Sequence, residues 1–372
     1  MPCFCHKDDR CMAQVRTVTG DIAVHAITGA VAGFGHLAPD WRPISDRDPE
    51  IDLTSEFRLE AARTAGNDLC QLVSSIARRG VGLIVDATPP GAGRDPMRLH
   101  DVSASTGMAV VACTGAHAPP IRLARVEDRS AEFLAEWFAF EIGSGMAAIA
   151  GDLFRGVPLM SERAAGVAGD SLNDAAIRAG AIRITLASPT IDRADGALID
   201  AAGITAGATG VATFLDAPPA ADLGAVALRF EASGGDRSKL VLAPGTRTPD
   251  ALLAAASLGL SVVVSAPSTG AEGAVGVWEA TIRGFLRQGL IDLCIATIAI
   301  GGISIERRVD PSTATVIGEA YRTIPGITES DLRDVTTSNA LRVLELSPQS
   351  GASPPGRRRG GANNHRSTNA PG

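Results

Sequence analysis

The stretch GLIVDATPPGAGRDPMRLHDVSASTGMAVVACT, residues 82–114, decides the fold. It opens with the apolar run Gly82–Asp86 and closes with a second, Ala109–Thr114. Short continuous apolar runs suit strands buried on both faces, as in a parallel sheet. The interval between them is too long for a hairpin turn and fits a crossover helix. The same alternation extends outward both ways. Further strand candidates are Val31–His36, Ala181–Leu186, Val211–Leu215, Leu240–Ala243, Leu260–Ser265 and Ile291–Ala296. Amphipathic helices lie between. Asp128 is read as the cap of one that places Leu134, Trp137, Phe138 and Ile142 on a single face. Val275, Trp278, Ile282, Phe285 and Leu286 form a second stripe, which Gly289 stops. Eight strand–helix alternations predict an α/β fold, a (β/α)8 TIM barrel, with a doubly wound sheet as the next architecture. The segment Ala147–Asn173 reads as an insertion between strands 3 and 4 that caps one end of the barrel, and the last helix runs from about Thr328 to Leu344.

The composition agrees. The chain has 372 residues, 45% hydrophobic and 20% charged, which is ordinary for a globular protein. No apolar run approaches membrane-spanning length; the best candidate, Leu290–Ile300, is short and carries Asp292. The opening residues contain no apolar signal core, so a cytoplasmic location is expected. Three regions follow: a disordered leader over 1–12, a barrel over 13–347, and a disordered basic tail over 348–372, where the composition turns to Ser, Pro, Gly, Asn and Arg. Net charge is −7, and the tail holds four arginines and no acid, so the body is more acidic still. An acidic body argues against a nucleic-acid surface. The Arg357–Arg359 run reads as solvated. Cys3, Cys5 and Cys11 with His6 contain soft metal ligands but fit no common zinc framework. Cys70, Cys113 and Cys294 read as reduced core residues.

In a (β/α)8 barrel, function collects at the C-terminal strand ends. Those positions, in barrel order, are His36; Asp86 and Thr88; Thr114 and His117; Arg183; Asp216; Pro244 to Arg247; Ser265; and Thr297.

Several pieces together resemble the phosphotriesterase family of the amidohydrolase superfamily. VRTVTGDI (15–22) is similar to that family's opening strand pair, and GFGHL (33–37) to its His-x-His-Leu metal motif. VDATPPGAGRD (85–95), VVACTG (110–115), AEFLAEWFAFEI (131–142), IRAGAIRI (177–184) and ATGVATFLDA (208–217) follow in order. DRSKLVLAPGTRTPD (236–250) and GITESDLRDVTTSNALRVL (326–344) close the series. The resemblance implies a barrel with a metal-dependent hydrolase ancestry, acting on phosphotriesters, lactones and related esters. It also implies two divalent metals, typically zinc. Their ligands are two His on strand 1, a carboxylated Lys or a Glu on strand 4, a His each on strands 5 and 6, and an Asp on strand 8.

Carried over residue by residue, most of that set is missing. The first His position falls on Phe34, and only the second, His36, is kept. The bridging position falls on Arg183, the strand 5 His on Asp216, the strand 6 His on Pro244, and the strand 8 Asp on Ile298 or Ala299. The loss is independent of alignment. The histidines are 6, 25, 36, 100, 117 and 365, so strands 4 to 8 supply none in any register. Lys239 is the only lysine after Lys7. Arginine stays charged and does not ligate a metal, and proline has no side-chain donor.

The remaining candidates are catalytic His36, Asp86 and Asp216, and ligand-binding Arg183, Asp216 and His117. Arg183 held by Asp216 suits a small carboxylate or phosphate, or else simply fills the vacated site. His36 with Asp86 suits an acid–base pair, or a relic histidine bonded at the mouth. Arg94 and Asp95, beyond the Gly91-x-Gly93 turn, read as structural caps or bridges, and Ser265 has no histidine–acid partners beside it. The expectation is a barrel without resident cofactor, hydrolytically silent, that binds a small anionic ligand or a partner. The alternatives are a hydrolase of ester-type bonds with a rebuilt, at most mononuclear site, and a structural subunit that pairs with an active paralogue. A homodimer is compatible with the family; nucleic-acid and membrane partners are not expected.

Overall fold

Val15 and Ile22 face each other across an antiparallel pair, β1 (Gln14–Thr17) and β2 (Gly20–Ala23), as the opening motif implies. The structure is a computed structural model. It describes residues 13–35, 37, 67–90, 94–119, 122, 124–146, 176–243, 247–266, 274–298 and 324–346. The leader, the insertion Ala147–Asn173 and the tail therefore lie outside the described residues.

Eight parallel strands follow in chain order: β3 (Ala30–Gly35), β4 (Val81–Asp86), β5 (Ala109–Ala116), β6 (Ala181–Thr185), β7 (Ala212–Asp216), β8 (Leu240–Leu242), β9 (Ser261–Ala266) and β10 (Cys294–Ile298). Each hydrogen-bonds the next. The curl brings the last strand to the first. Thr297 Oγ1 accepts from Gly33 N at 3.1 Å and donates to Gly33 O at 3.3 Å, so one buried hydroxyl joins β10 to β3. The fold is the expected TIM-type barrel.

Period-two alternation divides each strand between two hydrophobic clusters. Leu83, Val85, Val111, Cys113, Ala181, Phe214, Val241, Val263 and Ile295 fill the barrel interior. Ile84, Val110, Ala112, Ile182, Ile184, Leu215, Leu242 and Val262 face the surrounding helices. Those helices are α1 (Asn67–Ala77), α2 (Pro96–Thr106), α3 (Ala124–Glu127), α4 (Ala131–Gly143), α5 (Arg193–Thr209), α6 (Leu223–Ala232), α7 (Pro249–Ser257) and α8 (Ala274–Gln288). Both sides of the sheet are buried, which is why its strands read as unbroken apolar runs.

The floor of the barrel is closed by its two chain ends. Val15 from β1 joins the interior cluster, and so do Leu341, Val343 and Leu344. These belong to a closing helix built as α9 (Glu329–Arg333), a π turn Asp334–Ser338, and α10 (Asn339–Leu344). Thr328 caps it in a reciprocal box with Asp331, close to the helix start read from the sequence. Leu346 N donates to Gln14 O at 2.8 Å, tying one end to the other. Lys239 Nζ donates to the carbonyls of Val343 (2.9 Å), Arg342 and Glu345, and so serves as a C-terminal cap for α10.

Most strand ends shift by one or two residues from the sequence reading, and two differences have a local cause. Ser130, not Asp128, caps α4; its hydroxyl accepts from Phe133 N, and Asp128 instead follows the short helix α3. The eighth barrel strand begins at Cys294, because Ile291–Leu293 form a 3-10 turn. The two helical stripes are as expected where they are described; the Val275 side chain lies outside the described residues. Leu134, Phe138 and Ile142 are buried with Trp137 at the margin, and so are Trp278, Ile282 and Phe285. Among the described residues no helix is long and apolar enough to cross a membrane.

Candidate functional site

Opposite the floor is the end of the barrel that bears the C-terminal strand ends. Register places the candidates there. Gly115, Arg183 and Phe214 are neighbours across β5, β6 and β7, and one level higher Thr185 lies beside Asp216. His117 follows Ala116, which pairs with Ile184, so it stands at the level of Thr185. Arg183, Thr185 and Asp216 share the inward parity of Ala181 and Phe214.

Arg183 is buried, and its guanidinium spans the mouth. Nη1 donates to Ala87 O at 3.1 Å, beyond the end of β4, and Nη2 donates to Asp216 Oδ2 at 3.1 Å on β7. The intervening strand makes room with Gly115, which has φ +119°; a Cβ there would lie 1.9 Å from Arg183 O. The Arg183 side chain is 7% exposed and that of Asp216 29%, so the ion pair has one dry end and one wet end.

Three polar groups in this layer have no hydrogen-bond partner among the described residues: Arg183 Nε, His117 Nε2 and Thr185 Oγ1. His117 Nδ1 lies 2.9 Å from Ala118 N and 3.2 Å from Ala118 O; in the tautomer where it accepts from Ala118 N, the ring proton is on Nε2. Burial, with the Arg183 charge next in weight, lowers the His117 pKa to about 4, so the ring is neutral near pH 7. Among the described residues the layer therefore presents N–H donors, a hydroxyl and a single carboxylate.

Two further buried ion pairs frame it. Arg122 Nη2 donates to Asp195 Oδ1 at 2.6 Å, with both side chains at 1% exposure or less. Arg94 makes a two-pronged bridge to Glu141 at 2.6 and 2.8 Å and also donates to Cys113 O. Asp95 caps α2 by accepting from Arg98 N. The structural reading of Arg94 and Asp95 thus holds. Asp86 is buried and accepts from Leu37 N (2.7 Å) and Thr88 N (2.9 Å), so each of its oxygens already binds backbone. His36, its proposed acid–base partner, lies outside the described residues, as do Pro244 and Ala299. Arg247 donates to the carbonyls of Ala217, Pro218 and Pro219 and fixes the loop after β7. Ser265 Oγ is buried with no partner among the described residues. Burial pushes the Cys113 thiol up, with Asp86 adding to the effect, so it stays protonated.

The described residues do not fit a binuclear metal centre. A permanent cation, Arg183, which the resemblance aligns with the bridging ligand, has its Nη atoms committed to Ala87 and Asp216. No group of three or more His, Cys, Asp or Glu converges among the described residues. Sequence reasoning missed Thr185, although it lies two residues after Arg183 and so shares its face. It also missed the Arg122–Asp195 bridge, whose partners are 73 residues apart and carry no local signal.

Comparison with known proteins places this architecture. The model of the phosphotriesterase family matches residues 15–153. No curated protein matches. Among solved structures, an amidohydrolase from Mycoplasma synoviae aligns with a TM-score of 0.68 over 90% of this chain and 92% of its own, at 17% identity. At that identity the likeness speaks to the fold.

Proposed function

We propose, on the premise that the chain belongs to the phosphotriesterase family, that its strand-end site has exchanged the binuclear metal centre for a guanidinium and binds a small carboxylate or phosphate without hydrolysing an ester. One observation carries this reading: a buried Arg183 stands where the resemblance implies the metal-bridging ligand, and its Nε, like His117 Nε2, has no partner among the described residues. A fixed guanidinium replaces metal charge but cannot lower the pKa of a bound water, so it recognises an anion without generating a hydroxide nucleophile. The neutral His117 supplies a second donor. Asp216 orients the guanidinium and is the one acidic group that an incoming anion meets at the pair.

Two measurements test it. Elemental analysis of dialysed protein carrying Cys3→Ser, Cys5→Ser and Cys11→Ser, which removes thiolates that bind metal adventitiously, should find no stoichiometric zinc, manganese or cobalt. About two metals per barrel would overturn the reading, and one would favour a rebuilt mononuclear hydrolase. Thermal unfolding in inorganic phosphate or acetate should show concentration-dependent stabilisation, as linkage requires of any ligand of the native state. That stabilisation should vanish in Arg183→Met, Asp216→Leu.

A further inference from the structure

Arg122 lies outside the layer of unpartnered groups, yet it touches the backbone of two residues in it. Its Nε donates to His117 O at 2.8 Å, and its Nη2 donates to Thr185 O at 2.9 Å and to Asp195 Oδ1 at 2.6 Å. Asp195 is fully buried and is itself fixed. Its Oδ2 accepts from Ala187 N at 2.9 Å, and its own N–H donates to Asp192 Oδ1 at the start of α5. The bridge therefore runs from a helix start, through one guanidinium, to the chain just beyond β5 and the last residue of β6. His117 and Thr185 present Nε2 and Oγ1 to the site, and neither atom has a partner among the described residues. Among the described residues, the His117 ring has no hydrogen bond apart from its own contacts to Ala118.

We propose that Arg122, locked by Asp195, is the positioning residue of the strand-end site, setting the distance between the His117 and Thr185 groups that meet the ligand. The planar fork suits this task, because three acceptors on three separate segments lie within its reach. A lysine keeps the charge but offers one ammonium in place of the fork. The inference rests on the reading of the strand ends as a ligand site, but its test does not require the ligand.

The readout is the protonation of His117, which depends on how the ring is seated. Arg183 and Asp216 bear on it from β6 and β7, and Arg122 from its own loop. With the ring held at a pKa of about 4, roughly 3% should be protonated at pH 5.5. NMR of ring-labelled histidine, with the His117 signal assigned by its loss in His117→Gln, measures this in the full chain. In Arg122→Lys the charge stays but the clamp is gone. The ring should swing toward water, and the protonated fraction at pH 5.5 should rise severalfold as the midpoint moves toward 6.5. Asp195→Asn keeps the Arg122 charge while releasing its lock and should do the same, so a misfolded Arg122→Lys protein leaves the question decidable. If either variant is folded and its His117 remains as neutral as in the parent, the bridge is structural only and the proposal fails. Loss of phosphate binding with an unmoved His117 also counts against it. Failure of the parent to bind phosphate or acetate would instead strike the proposed function and leave this result standing.

Discussion

Asp216 and Arg183 meet at a boundary between protein and solvent, and that boundary sets what their pairing is worth. A fully buried pair that loses one partner costs about 3–5 kcal/mol. Asp216 is 29% exposed, so water relieves part of that cost, and about 1–3 kcal/mol is expected for Asp216→Leu. Arg183→Met with Asp216→Leu should recover much of the loss, and a double-mutant cycle in denaturant measures the coupling. Additive single effects would mean that the contact contributes nothing to the fold. His117 gives a second prediction at this scale. Its folded pKa, about 4, lies below its ordinary 6.5, so the unfolded chain takes up the proton first. Stability is therefore unaffected above 6.5 and falls as the pH drops from 6.5 toward 4, by up to about 1.4 kcal/mol per pH unit from this group. His117→Gln should flatten that limb, as followed by urea midpoints between pH 7 and 4.5; an unchanged pH dependence would refute the neutral ring.

Single elements of this barrel are held by glycine and by buried charge as much as by apolar contact. Gly115 is the clearest case: φ is +119°, and a Cβ would sit 1.9 Å from the Arg183 carbonyl on the neighbouring strand. Gly115→Ala combines backbone strain with a clash that only movement of β5 from β6 relieves. A loss of at least about 3 kcal/mol is expected in chemical denaturation. The apolar runs that become β4, β5, β6 and β9 were legible because parallel strands bury both faces and leave no polar alternation to misread. The cap of α4 was not. Asp128 and Ser130 are both good capping residues, and only the three-dimensional end of α3 selects Ser130. The candidate site was legible in part. Arg183 and Asp216 could be placed on adjacent strand ends from sequence, and they do meet. The tie from Arg122 to Asp195 could not, since it joins a loop to a helix start through tertiary structure alone.

Across the whole molecule, closure depends on a narrow seam between the last barrel strand and the first. Thr297 both donates to and accepts from the backbone of Gly33. Thr297→Val keeps the shape and removes the hydroxyl, leaving buried backbone groups short of a partner at a cost of about 1–3 kcal/mol. Amide exchange at Gly33 should accelerate more than exchange at Val111, in the middle of β5; equal protection would show that packing, not this hydroxyl, closes the barrel. The floor has a different consequence. Leu346 bonds to Gln14, and residues of α10 share the interior cluster with Val15. A chain emerging from a ribosome makes β1 first and the residues that cover it last. The hairpin must therefore wait, its apolar side uncovered, while the whole barrel is translated. Closure of the floor is accordingly later than synthesis of the barrel strands, and the waiting hairpin is the part of the nascent barrel most in need of chaperone protection.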